Sequence, residues 1–236
     1  MRKLGLIIAL VFCGQQISWS QKQECVAKIK SWYSLLEAKV EEVNKKRLFE
    51  MKFTMDIVYM NREELDSISY EAHVISDQEK KYFFGNGSKV YQNEKTTASV
   101  SEKNREVHLF DTPPNDYQSI VTAKYEIFED TLLSAVDYAM VVNKKVVKLF
   151  FKPDNKIANG VKEISFDFTG NQLVNSIQTS YYPNQQYSRI RVDYHKIDFN
   201  SKTKILDKKL LANVMRGKKL IPEYKNYTLY DHRKNK

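Results

Sequence analysis

The sequence predicts a mainly β fold of the α+β class, with a single antiparallel sheet and one amphipathic helix at its N-terminal end. Three observations predict this fold. Two long stretches alternate apolar and polar residues with a period of two, shorter β-rich pieces follow at even spacing, and one early segment repeats apolar residues at intervals of three and four. We find no internal repeat and no low-complexity linker, so a single domain is expected.

The first 21 residues have the order of a secretory signal peptide. Arg2 and Lys3 precede an apolar run from Leu4 to Phe12, and small and polar residues follow as far as position 21. The apolar run is too short to span a bilayer. We therefore expect an exported, periplasmic protein, and the alternative is an outer-membrane lipoprotein whose Cys13 is lipidated.

Residues 22–47 predict the amphipathic helix, with an apolar stripe formed by Val26, Ile29, Tyr33, Leu36, Val40 and Val43. Cys25 would be the single cysteine after processing, so no internal disulfide is expected. A partly buried thiol on this helix is the expected role of Cys25, and a reactive or intermolecular thiol is the alternative.

The strands follow the helix in order. The two long alternating strands are residues 49–60 and 66–76, and the later strands are predicted at 81–84, 89–92, 97–101, 106–110, 138–142 and 146–152, followed by three more within 162–200. Pro113 and Pro114 interrupt the sheet because proline cannot donate to a strand ladder. Residues from 116 to about 136 are predicted to be partly helical.

Two glycines, Gly85 and Gly87, raise the question of a phosphate-binding loop. That loop needs G-x-x-x-x-G-K-[ST] before a helix, whereas here the chain returns to a strand at Val90 and Tyr91. Asn86-Gly87 is instead a strong hairpin signal, because both residues tolerate positive φ. We predict a two-residue turn.

The positive charge is concentrated at the C-terminal end. The whole chain carries a formal +9, and residues 202–236 contain eleven Lys or Arg against three Asp or Glu. A solvated tail is the expected structure of this basic C-terminal extension. The alternative is a surface for anionic lipid or an acidic partner, formed by Lys208, Lys209, Arg216, Lys218 and Lys219.

No set of residues marks a catalytic or metal site. The sequence has no G-x-S-x-G motif and no C-x-x-C or H-x-x-x-H spacing, and its four histidines lie far apart. His73 and His108 are expected on the polar faces of their strands. We therefore expect no enzyme activity, no cofactor, no metal and no nucleic-acid partner.

The first long strand carries an unusual apolar face. Methionine is flexible and polarizable, and it suits surfaces that accept varied apolar ligands, although ordinary core packing is the alternative. The candidate residues for an apolar cavity are Met51, Phe53, Met55, Ile57 and Tyr70.

Two segments carry a family resemblance. The turn Asn86-Gly87-Ser88-Lys89 and the strand Val90-Tyr91-Gln92 resemble the region of LolA-type periplasmic lipoprotein carriers in which a D-G-K turn precedes a W-x-Y-like strand. Residues 166–200 are similar to the closing strands of that family, with Gly170-Asn171 and Phe199-Asn200 at matching places. The resemblance covers about residues 25 to 200.

The resemblance implies a curved sheet that forms an incomplete barrel, covered by helices, with an apolar cavity for acyl chains and no catalysis. We thus expect a signal peptide at 1–21, a half-barrel domain at 22–201 and a basic extension at 202–236. The leading hypothesis is a binding protein for acyl chains or a lipidated protein. An assembly subunit of a cell-envelope complex is the alternative, and an enzyme is the third class.

Overall fold

The structure is a computed structural model that describes residues 21–32, 34–35, 38–39, 48–60, 66–77, 80–112, 134–143, 145–168, 174–183, 185–206 and 209–234. The predicted signal peptide, apart from residue 21, the turn at 170–171 and residues 116–133 of the segment predicted to be partly helical as far as about 136 lie outside these residues. Within the described residues the chain forms a long N-terminal α-helix, two short 3₁₀ helices and fourteen strands, and Ser134 is also helical.

The strands lie close to their predicted positions. They are β1 Leu48–Tyr59, β2 Ser67–Ser76, β3 Lys80–Gly85, β4 Ser88–Asn93, β5 Thr96–Ser101, β6 Glu106–Asp111, β7 Tyr138–Val142, β8 Val146–Phe150, β9 Val161–Phe168, β10 Val174–Tyr181, β11 Tyr187–Ser201, β12 Met215–Arg216, β13 Lys219–Leu220 and β14 Thr228–Asp231. The 3₁₀ helices are Leu210–Asn213 and Pro222–Tyr224.

Twelve strands belong to one sheet, in the order β14-β6-β5-β4-β3-β2-β1-β11-β10-β9-β8-β7. The remaining two, β12 and β13, form a small hairpin. The prediction of one large, mainly β sheet is confirmed, and the sheet is not closed into a barrel. Two details differ from the prediction. The sheet is mixed, because β14 pairs in parallel with β6, and helices cover it only sparsely within the described residues.

The chain divides into two compact units. The first comprises Met1–Leu36, Asp56–Ile68 and Ile127–Asp193, and the second comprises Glu37–Met55, Ser69–Glu126 and Tyr194–Lys236. Strands β1, β2 and β11 contribute residues to both.

In the first unit a helix, α1, packs on strand β9. The described part of α1 runs from 21 to 39, without residues 33, 36 and 37. Trp32 meets the rings of Phe166 and Phe168 edge-on, at centroid distances of 6.1 and 6.4 Å. The buried residues of α1 are Cys25, Ile29 and Trp32.

The stripe predicted for α1 is therefore only partly right. Ile29 is buried as predicted, but Val26 is half-buried, and Tyr33, Leu36, Val40 and Val43 lie outside the described residues. Cys25 and Trp32 complete the buried face because positions 25, 29 and 32 fall at helical spacings of four and three.

In the second unit the strands β2 to β6 form an antiparallel meander. The turn between β3 and β4 is the predicted hairpin, since Asn86 and Gly87 have φ of 49° and 68° and Gly85 pairs with Ser88. The prediction of a solvated C-terminal tail is wrong. Leu206, Val214 and Tyr224 are buried in the core of this unit, and β14 extends its sheet.

Candidate functional site: an apolar sheet face and a basic cover

The sheet of the second unit has two faces with different surroundings. The register places the residues of one face opposite each other across β2 to β6. This covered face packs against the residues that follow β11. Its buried members are Ile75, Tyr82, Tyr91, Ala98, Val100, Val107 and Leu109.

The element that fills the covered face is the segment from Lys202 to Tyr227, here named the basic cover. Its apolar side chains pack on the sheet, with Leu206, Val214 and Tyr224 buried and others partly buried, namely Ile205, Leu211, Met215, Leu220, Ile221 and Tyr227. A sequence-based view misses this role because the apolar residues of the cover follow neither helical nor strand spacing.

Lys89 fastens the cover to the meander. Its Nζ lies 3.1 Å from a carboxylate oxygen of Glu102 and 3.1 Å from one of Glu223, and it donates to the Tyr224 hydroxyl at 3.5 Å. Burial lowers the pKa of Lys89, but the hydrogen bonds from its ammonium to the two carboxylates outweigh this and raise it. Lys89 therefore stays charged.

The opposite face carries the methionine-rich row of β1. We name it the methionine face and define it by Met51, Phe53, Met55, Tyr70 and Phe83. The Tyr70 hydroxyl donates to the Met55 sulfur at 3.1 Å, which joins β1 to β2. Phe83 pairs with Val74 and so lies on the same side as Tyr70.

The predicted ligand-binding residues have unequal exposure. Met51, Met55, Tyr70 and Ile57 are half-buried. Phe53 is only 7% exposed and packs on Tyr194 at a ring-centroid distance of 6.1 Å. Ile57 lies further along β1, in the part of the strand that belongs to the first unit. Their role in ligand binding stays a prediction.

Gly85 makes room for an aromatic ring on the methionine face. A Cβ added to Gly85 would lie 2.8 Å from Cζ of Phe83 and 3.4 Å from Cβ of Ala72. The Phe83 ring therefore rests on the bare backbone of Gly85, where any larger residue would force the ring to move.

A buried carboxylate on the other side of β1 was not predicted. Glu50 accepts hydrogen bonds from His73 at 2.9 Å, from Lys196 at 2.6 Å and from the Ser201 hydroxyl at 2.5 Å. Burial raises the pKa of Glu50, but these three hydrogen bonds outweigh it and lower the pKa to about 2. The pKa of His73 is lowered, because its burial outweighs the bond to Glu50.

The hydrogen bonds of Glu50 indicate a structural role for this residue. Three donors occupy most of the acceptor positions of the Glu50 carboxylate, and its low pKa makes it a poor general base. The alternation of β1 hides this residue from sequence analysis, because a charged residue between Phe49 and Met51 is expected to face solvent.

Four aromatic and imidazole rings meet at the β6–β14 edge. Tyr230 stacks on His108 at 4.8 Å and Phe110 stacks on His232 at 4.9 Å. His108 Nδ1 lies 3.2 Å from His232 Nε2, and His108 Nε2 lies 3.3 Å from Glu106. The sequence predicted that His73 and His108 lie on the polar faces of their strands. This prediction is wrong for His73, which lies on the covered face.

The predicted partner-binding residues lie in the basic cover. Lys209, Arg216, Lys218 and Lys219 are exposed, and Lys208 lies outside the described residues. Their role in binding a partner also stays a prediction.

Within the described ranges, no three His, Cys, Asp or Glu side chains come together in a way that could hold a metal ion. The same ranges contain no helix whose length and hydropathy would let it cross a membrane.

Comparisons with known proteins give distant structural similarities. No family model and no curated protein sequence matches the chain. An uncharacterized conserved protein from Thermus thermophilus is 7% identical with a TM-score of 0.40, and the alignment covers 84% of this chain and 98% of that one.

Two further solved structures have descriptions that refer to LolA or lipoprotein sorting. A LolA superfamily protein from Nitrosomonas europaea is 6% identical with a TM-score of 0.31, over 73% of this chain and 97% of that one. A putative outer membrane lipoprotein-sorting protein domain from Vibrio parahaemolyticus is 8% identical with a TM-score of 0.27, over 73% and 94%.

Proposed function

We propose that this chain is an exported, non-catalytic binding protein that holds acyl chains, or the acyl chains of a lipidated protein, against the methionine face. A carrier of outer-membrane lipoproteins is the specific form of this proposal. The observation that carries it is a row of half-buried apolar side chains, Met51, Met55, Tyr70 and Phe83, on the sheet face opposite the basic cover.

The chemistry of the row suits an acyl chain. Met51 and Met55 have thioether side chains that adapt to a flexible ligand, and Phe83 and Tyr70 add broad apolar surface. Each methylene group removed from water contributes about 0.8 kcal/mol, so a fatty acyl chain needs no specific polar contact to bind. The described polar network around Glu50 is taken up by hydrogen bonds within the fold, which fits a structural role.

The test is binding of a fluorescent fatty acid to the purified protein and to Met55→Gln. The substitution keeps the length of the side chain but places an amide in the apolar row. We expect the wild type to bind, and Met55→Gln to weaken binding about tenfold, since roughly 1.4 kcal/mol of apolar contact is lost.

The matched control is Thr54→Gln. Thr54 is the neighbouring residue on β1, it is directed to the opposite side, and its hydroxyl contacts His195 at 2.7 Å. Equal affinity of Met55→Gln and wild type, or equal weakening by Thr54→Gln, would refute the binding site. Absence of acyl binding by the wild type, together with no lipid in native mass spectra, would refute the function.

A further inference from the structure

The basic cover has two sides of different chemistry. Its inner side is apolar and locked into the core of the second unit by Leu206, Val214 and Tyr224. Its remaining long side chains are mostly cationic and exposed to solvent. Among the described residues of the cover, seven cations are exposed, namely Lys202, Lys204, Lys209, Arg216, Lys218, Lys219 and Lys225.

The described acidic side chains of the cover and of β14 lie in ion pairs. Glu223 is paired with Lys89 at 3.1 Å. Asp231, which follows the cover in β14, is paired with Arg233 at 2.8 Å. Within the described part of the chain, none of the seven exposed cations of the cover has an ion pair, so their charge is directed at solvent.

The β12–β13 hairpin shows how the fold presents this charge. Met215 pairs with Leu220, and both pack against the core. Arg216 pairs with Lys219, so strand alternation turns this second pair away from the core. Gly217, at φ 63°, makes the tight turn and leaves Lys218 at its tip.

The composition of the surface favours a lipid headgroup over a protein partner. Six of the seven cations are lysines. Protein interfaces are enriched in arginine and depleted in lysine, because the arginine fork makes paired hydrogen bonds whereas the lysine ammonium is a hydrated point charge. Clusters of lysines without a recognition pocket are typical of diffuse attraction to anionic membrane lipids.

We propose that the basic cover docks this protein on an anionic phospholipid surface. The docking itself is independent of the proposed acyl binding. Docking would bring the methionine face to the membrane, where acyl chains are taken up or delivered. This purpose of the docking rests on the proposed function. The cover acts as a preformed cationic surface, because its apolar side holds it in place before the membrane is met.

The test is sedimentation of the full chain with vesicles of pure phosphatidylcholine and of phosphatidylcholine mixed with phosphatidylglycerol. The variant combines Arg216→Glu, Lys218→Glu and Lys219→Glu. The control combines Lys103→Glu, Lys145→Glu and Lys156→Glu, which lie in exposed turns elsewhere and change the net charge by the same amount.

We expect the wild type and the control to bind only the anionic vesicles, and high salt to release both. The hairpin variant should bind at least about a hundredfold more weakly, at roughly fivefold for each cation removed. Its fatty-acid binding in solution should equal that of the wild type.

Two results would overturn the docking proposal, and a third would separate it from the proposed function. Equal losses in the hairpin variant and the control would show an effect of net charge alone. Equal binding to both vesicle types, with retention on immobilised polyglutamate, would assign the cover to an acidic protein. If the wild-type protein binds anionic vesicles but binds no fatty acid, the proposed function is refuted and the docking proposal stands.

Discussion

Glu50 is buried although the alternating pattern of β1 predicts that it faces solvent, and it still stabilises the fold. A buried carboxylate is costly unless it is paired and hydrogen-bonded. Lys196 supplies the opposite charge, and His73 and Ser201 complete the hydrogen bonding. The three donors come from β2 and β11, the two strands that flank β1 in the sheet. Glu50 therefore ties three strands together at one point.

The lowered pKa of Glu50 predicts acid sensitivity. With a folded pKa of about 2 against an ordinary 4.5, the ionised carboxylate stabilises the fold by about 3 kcal/mol at neutral pH. That stability is fully present above pH 4.5 and is lost as the pH falls towards 2. Glu50→Gln should lower the free energy of unfolding at pH 7 and flatten its pH dependence below 4.5, as measured by urea denaturation.

The control for this prediction is Glu94→Gln. Glu94 is exposed in the turn between β4 and β5, so its substitution should leave the stability at pH 7 unchanged. A wild-type stability that stays constant between pH 4.5 and 2 would contradict the assigned network.

Cys25 gives a second prediction at the scale of one residue. Its side chain is fully buried on α1, and burial is the main cause that raises the pKa of its thiol. Only the thiolate reacts readily, so the thiol should be inert in the folded protein. In a Cys13→Ser background we expect no reaction with a thiol reagent until denaturant is added. A fast reaction in buffer would support the alternative of a reactive thiol.

At the scale of elements, the cover and the meander stabilise each other. Tyr224 is 2% exposed and lies beside Tyr227 at a ring-centroid distance of 5.2 Å. Burial also raises the pKa of Tyr224 and keeps its hydroxyl neutral. Removal of such a large buried ring leaves a cavity that the neighbouring strands cannot fill.

Tyr224→Ala should therefore cost about 3–5 kcal/mol of unfolding free energy. The matched control is Tyr230→Ala, because Tyr230 is 40% exposed on β14; it should cost about 1 kcal/mol. Denaturant unfolding of the two variants measures the difference. Similar costs for the two tyrosines would contradict the burial of the cover.

The elements differ in how well the sequence predicts them. Strands β1 and β2 were found within one residue of their ends, because period-two alternation is a direct result of strand geometry. The cover was missed because its excess of positive charge indicated a solvated segment, while Val214 and Tyr224 belong to short turns and 3₁₀ helices without a repeating period. The methionine row on β1 and Tyr70 were named from the sequence, whereas their neighbour Phe83 was not, because its place beside them depends on strand register, which no local pattern specifies.

At the scale of the whole molecule, the C-terminal segment was predicted to be a solvated tail, whereas the structure makes it part of the core of its unit. A tail can be removed without loss of fold, but the cover fills one face of the sheet in its unit, and β14 pairs with β6 along four residues. This difference decides how the basic surface can be studied. Charge reversal keeps the fold, whereas truncation removes the surface together with its support.

A chain that ends at Ser201 should therefore lose the fold of the second unit. It lacks Leu206, Val214 and Tyr224, so Tyr82, Tyr91 and Leu109 would face water. We expect amide-exchange protection in β4, β5 and β6 to fall close to that of an unfolded chain, because their apolar face has lost its cover. A chain that ends at Lys234 should keep that protection. Full protection of β5 in the chain ending at Ser201 would restore the view of residues 202–236 as a dispensable extension.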